Sequence, residues 1–194
     1  MTSKKNWQFI KNPGDGNCLF DSVAQGIHLR MFGALPTKKE MKKLSKELRK
    51  MVIEYQINHF NELKSMLAPS FLETINNNSN NNSSNSNNNE NKQKKIDKKQ
   101  EIKYAKLYIA RMSRGCTWGT HIEAQILDMI VKELFNIQGL IFHQEHKLKK
   151  IPFMSGDLNK TKKLKPLHFI LYGVNVGGYH FELMVKKTNV SLIF

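Results

Sequence analysis

The chain has 194 residues, a formal net charge of +15 and two cysteines, Cys18 and Cys116. That length suffices for one domain with a real core, and the absence of any run of about 20 apolar residues excludes a helical membrane span. Two cysteines exclude a disulfide framework, neither has the C-x-x-C partner of a metal site, and the opening Met-Thr-Ser-Lys-Lys-Asn-Trp lacks the apolar core of a secretory signal, so the expectation is a cytoplasmic or nuclear chain that keeps its thiols reduced.

The first informative segment is Asn12-Pro-Gly-Asp-Gly-Asn-Cys-Leu-Phe-Asp-Ser-Val-Ala. Pro13 to Asn17 are all turn formers. Cys18 then opens an apolar run, Leu19, Phe20, Val23, Ala24 and Ile27, at helical spacing. A thiol at a helix N-terminus lies near the positive end of the macrodipole, which favours thiolate. The N–H groups of the turn have no intrahelical partners and are able to face an oxyanion beside the sulfur. Cys18 is thus either a small buried hydrophobe or a nucleophile.

Residues 38–64 read as one long helix, with Met41, Leu44, Leu48, Met51, Val52 and Tyr55 recurring three and four apart. Residues 76–91 are nearly pure Asn and Ser, followed by a lysine-rich stretch. Such a tract has nothing to bury against its chain entropy, so 76–100 is expected to be a disordered insertion within a single domain spanning 1–194. A second helix is expected over 102–112, carrying Ile102, Leu107 and Ile109. A third is expected over 120–135, with Thr120 and Glu123 forming a capping box and Ile122, Ile126, Met129, Ile130 and Leu134 a buried stripe. Strands are expected at 139–143, 167–172 and 179–185, the last two joined as an antiparallel hairpin by the glycine-rich 173–178. The order is α+β, helices first and sheet late. The positive charge is lysine spread along the chain, with little arginine and no aromatic interleaving, which reads as a solvated surface with at most non-specific affinity for nucleic acid.

Asp15-Gly-Asn-Cys-Leu-Phe20, preceded by Gly14, resembles the signature of the ovarian tumour (OTU) cysteine proteases. The resemblance implies that Cys18 is the nucleophile and that Asp15 belongs to the catalytic site. It also implies a base on a late strand after a glycine-rich turn, which Gly178-Tyr-His-Phe181 fits through His180. The other histidines fit less well. His168 lies inside an apolar strand and reads as packed core, His121 is in the first turn of a helix, and His28, His59, His143 and His146 lack the turn-to-strand setting. Glu182 lies two residues beyond His180, on the same strand face and about 6–7 Å away, where it either orients the imidazole or is a solvated strand residue. The family often carries aspartate or asparagine there, one methylene shorter.

Thr117-Trp-Gly-Thr-His-Ile-Glu-Ala-Gln125 resembles the family's W-G segment, in which Trp118 and Gly119 would help build the substrate cleft. Anchoring of the helix start in the core is the other reading of Trp118, and Cys116 reads as structural. The resemblance implies a papain-like α+β fold, with a twisted sheet packed between helical layers. It implies a deubiquitinase acting after the C-terminal glycine of ubiquitin or a close relative, with ubiquitin, polyubiquitin and ubiquitinated proteins as partners and no metal or organic cofactor. The rival readings are an inactive OTU-like ubiquitin-binding protein and a basic nucleic-acid module. The intact Cys18 and His180 argue against the first and the lack of arginine–aromatic patterning against the second.

Overall fold

The structure is a computed structural model that describes residues 4–80, 97–145, 148–151, 164–172 and 180–187. Its elements in chain order are β1 (Trp7–Ile10), α1 (Cys18–Phe32), α2 (Lys38–Asn58), α3 (Phe60–Asn80), α4 (Lys98–Met112), α5 (His121–Leu134), β2 (Leu140–Gln144), β3 (Leu167–Tyr172) and β4 (His180–Lys186). Backbone contacts divide the chain into two compact units, residues 1–52 with 115–194, and residues 53–114.

The first unit is built on a four-stranded sheet in the order β1-β4-β3-β2. β4 pairs antiparallel with both β1 and β3, and β2 runs parallel to β3. Tyr172 stands opposite His180 at the closed end of the β3/β4 pair, the antiparallel arrangement expected, while the connecting 173–179 lie outside the described residues. Leu167, Phe169, Leu171, Phe181 and Leu183 are all buried in this sheet. α1 packs against β4 and β3, and α5 against β2. The first ten residues of α1, Cys18 to Ile27, are all buried, the polar Asp21, Ser22 and Gln25 among them. Gly26 lets the helix close on the sheet, since a Cβ there would stand 2.8 Å from a methyl of Leu167.

α5 matches its sequence signal closely. Thr120 caps it, and the reciprocal bonds to Glu123 form the capping box. Its stripe is buried at Ile122, Ile126 and Ile130, but Leu134 is 62% exposed in the last turn. The second unit holds α3 and α4, packed together with Phe71 stacked on Tyr104 at 5.9 Å. On α4 the buried face is Ala105, Tyr108, Ile109 and Met112, whereas Ile102 and Leu107 are exposed.

Two boundaries differ from expectation. The helix expected over 38–64 is two helices, because α2 ends at Asn58 and the carbonyl of His59 accepts the first bonds of α3 from Glu62 and Leu63. No Gly or Pro marks that break; Pro69, farther along, sits inside α3 without ending it. The stretch expected as a disordered insertion is entered by helical backbone from both sides. α3 continues through Asn80, and α4 starts at Lys98 with the Asp97 carboxylate accepting from the Gln100 N–H at 2.8 Å. Residues 81–96 lie outside the described residues. β1 was not signalled by the sequence: four residues at a sheet edge are too few to show a period.

Candidate active site

Turn formers at 13–17 deliver Cys18 to the N-terminus of α1, as the sequence suggests. The Asp15 carboxylate accepts the Asn17 N–H at 3.1 Å, so Asp15 closes the turn from within. Gly16 has φ +85, and a Cβ there would stand 2.1 Å from the Cys116 carbonyl oxygen. Glycine is therefore required twice over, for its conformation and for the close approach of the 115–117 segment.

That segment is tied to the turn by a residue the sequence reading missed. Arg49 of α2 is only 6% exposed. Its Nη2 donates to the Asn17 Oδ1 at 2.8 Å, the Thr117 carbonyl at 2.9 Å and the Gly16 carbonyl at 3.3 Å. Its guanidinium lies 4.1 Å from the centre of the Phe20 ring. The Asn17 Oδ1 also accepts the Cys116 N–H at 3.4 Å. One buried cation thus clamps the turn before Cys18 to the loop leading into α5. Asn12 was also missed: its Nδ2 lies 2.6 Å from the Ser22 Oγ and 2.8 Å from the Phe181 carbonyl, tying the first turns of α1 to β4.

The Cys18 side chain is fully buried, and its sulfur accepts the backbone N–H groups of Phe181 and Leu19. Burial pushes the thiol up to about 11, with the Asp21 and Asp15 charges adding to the rise and the two N–H groups opposing it. Phe181 directly follows His180, so the strand end that carries His180 meets the helix end that carries Cys18. The His180 Nε2 stands 3.4 Å from the Glu182 Oε1, and the Tyr172 hydroxyl donates to the Glu182 Oε2 at 3.0 Å. Glu182 is 7% exposed, so it is no solvated strand residue. Burial and that hydrogen bond to Glu182 push the Tyr172 hydroxyl upward.

Gly119 is buried with its Cα against Leu19, where a Cβ would stand 2.5 Å from a leucine methyl. Trp118 is 37% exposed, so it does not anchor the helix start in the core. Cys116 is exposed, with φ 63. His168 is half-buried, its ring tilted against Trp7 at 5.0 Å, stacked on His143 at 5.3 Å and bonded to it at 3.0 Å, which is a packing role. Among the described residues no group of His, Cys, Asp and Glu is placed to hold a metal ion, and no helix is long and apolar enough to cross a membrane.

The family model for the OTU-like cysteine protease matches residues 13–181, from the nucleophile turn to the residue after His180. The chain belongs to the OTU-like cysteine proteases. A relative from Tipula iridescent virus, named putative ubiquitin thioesterase L96, is 25% identical over 185 residues, covering 95% of this chain and 16% of its own length. The OTU-like chain therefore spans about one sixth of that relative. Among solved structures, the OTUD1 OTU domain is 12% identical with a TM-score of 0.52, covering 94% of this chain and 88% of that one. The viral OTU domain protease from Farallon virus is 13% identical with a TM-score of 0.52, covering 94% and 85%. Both likenesses are of fold: α+β, with the OTU arrangement of helices and sheet.

Proposed function

We propose that this OTU-like chain is a deubiquitinating cysteine protease that hydrolyses isopeptide or peptide bonds after the C-terminal glycine of ubiquitin or a ubiquitin-like modifier. The observation that carries the reading is the Phe181 N–H bonded to the Cys18 sulfur, because it sets the residue after His180 against the nucleophile. The name of the viral relative points to the same substrate. Cys18 Sγ attacks the glycine carbonyl carbon while His180 takes the thiol proton. The tetrahedral intermediate collapses with cleavage of the C–N bond, and His180 returns the proton to the leaving amine. Water, deprotonated by His180, then attacks the thioester, releasing the glycine carboxylate and restoring the thiol. Glu182 and Tyr172 hold the imidazole, Asp15 shapes the turn, and Trp118 and Gly119 form a wall of the cleft.

A second reading is favoured by one observation. Burial that pushes the Cys18 thiol up to about 11 works against formation of the thiolate, as suits a protein that binds ubiquitin without cleaving it. A ubiquitin probe bearing an electrophile at its C-terminus decides between the two. Labelling of the parent chain and of Cys116→Ala, with none of Cys18→Ala, is the expected result; binding of ubiquitin without labelling of the parent establishes the second reading. Glu182→Gln is expected to lower kcat about tenfold or more with little change in KM, and an unaltered kcat removes Glu182 from the site.

A further inference from the structure

α1 carries Cys18 at one end and, at the other, lines a cavity of about 400 Å³ that the proteolytic reading does not use. Arg30 stands twelve residues beyond Cys18, roughly 18 Å along the helix axis at about 1.5 Å per residue. The cavity is framed by the last turns of α1, the start of β3, the end of β4 and Trp7 of β1. Arg30, Lys165, His168 and Lys186 all contribute to its lining, and among the described residues no Asp or Glu does.

Among the described residues, none of Arg30, Lys165 and Lys186 has a carboxylate partner. The Arg30 Nη2 donates to the Pro166 carbonyl at 3.1 Å, but its Nε is buried and has no hydrogen-bond partner among the described residues. Burial disfavours the Arg30 charge, and among the described residues no carboxylate offsets the loss of water. Lys186 has its ammonium 5.9 Å from the centre of the Trp7 ring, and the same ring lies tilted against His168 at 5.0 Å. His168 is held down to about 4, by burial first and then by the charges of His143, Arg30 and Lys186. Like charges converging on one concave, partly desolvated site repel one another and leave donors unsatisfied, and a multiply charged oxyanion relieves both. Guanidinium and ammonium groups around a cavity suit phosphate oxygens. The volume falls within the range of small-molecule sites, about 300–1,000 Å³.

We propose that this cavity binds a phosphate-bearing small molecule, its phosphates held by Arg30, Lys165 and Lys186 at the end of α1 remote from Cys18. Inorganic pyrophosphate and a nucleoside triphosphate share the required chemistry, and they separate a free oxyanion from an organic phosphate.

The test uses the full chain at constant ionic strength, with calorimetric titration and thermal shift against pyrophosphate, ATP and adenosine. Pyrophosphate and ATP are expected to bind saturably and raise the melting temperature, and adenosine to do neither. Tighter binding of ATP than of pyrophosphate assigns the site to an organic phosphate, and the reverse order to the free oxyanion. Lys186→Gln, an exposed position where folding is safe, and Arg30→Gln are each expected to weaken binding at least tenfold. Lys46→Gln, an equal loss of charge on exposed α2 surface, is expected to leave it within twofold. Labelling of Cys18 by the ubiquitin probe is expected to persist in Lys186→Gln. Sodium chloride reproducing the thermal shift, or equal weakening by Lys46→Gln and Lys186→Gln, overturns the site in favour of general attraction to a basic surface. No binding by either phosphate overturns it outright.

Discussion

At the residue scale, the turn before Cys18 depends on a side chain 32 and 33 positions from the residues it holds. Arg49 is buried and touches two segments of backbone and one side-chain amide at once, while its plane covers Phe20. A lysine there carries the charge but not the flat, forked donor set, so Arg49→Lys leaves carbonyls of the turn short of partners. The cost is roughly 1–3 kcal/mol for each buried group left unsatisfied. The expected outcome for Arg49→Lys is a folded chain, destabilised by urea unfolding, whose kcat falls about tenfold or more while KM changes little. A merely structural clamp would lower stability and leave kcat alone, and that result would separate Arg49 from catalysis. Nothing in the sequence announces this contact. Local motifs and strand period single out Cys18, His180 and Glu182 as candidates, whereas Arg49 lies within an ordinary amphipathic lysine-rich helix. Asn12 is hidden for the same reason, since its partner Phe181 is 169 residues distant.

At the scale of elements, legibility followed the range of the interactions that set each one. The capping box of α5 is written within four residues, Thr120 to Glu123, and appears as read. β3 shows its full span, Leu167–Tyr172, because a short apolar run between polar segments is a local signal. The break at His59 was not legible, because the apolar spacing of α2 continues toward α3 and no Gly or Pro stands between them. β3 also carries His168, whose environment makes a pH prediction. The ring is packed between Trp7 and His143, with Arg30 and Lys186 nearby, and burial holds it down to about 4 against 6.5 for the free side chain. Its folded value is depressed, so the unfolded chain binds the proton first. Stability is full above pH 6.5 and is lost as pH falls from there toward 4. His168 alone contributes on the order of 3 kcal/mol to that loss. Urea unfolding at pH 7, 5.5 and 4.5 is expected to show a decline that is markedly shallower in His168→Phe, which keeps the aromatic packing. An equal decline in the two proteins would assign the acid sensitivity to other groups.

At the scale of the whole molecule, the sequence conveyed α+β and the place of β2, β3 and β4 after the helices, but neither the leading strand β1 nor the connectivity of the sheet. The parallel pairing of β2 with β3 and the edge position of β1 on β4 join segments far apart in sequence, which no local pattern encodes. Net charge is a property that sequence does convey, and the +15 bears on partners rather than on fold. The lysines of α2, Lys38, Lys39, Lys42, Lys43, Lys46 and Lys50, are all exposed, and no arginine–aromatic alternation accompanies them. Such a surface attracts a polyanion through counterion release alone. Fluorescence anisotropy with short DNA and RNA duplexes of unrelated sequence is expected to give similar, weak affinities. At physiological salt the dissociation constants should be no tighter than about 10⁻⁶ M, and the affinity should fall steeply and linearly in log–log form as salt rises from about 50 to 200 mM. A preference for one sequence that survives at the higher salt would need contacts to base edges, which salt does not screen away. That outcome would make nucleic acid a specific partner and displace the solvated-surface reading of the lysines.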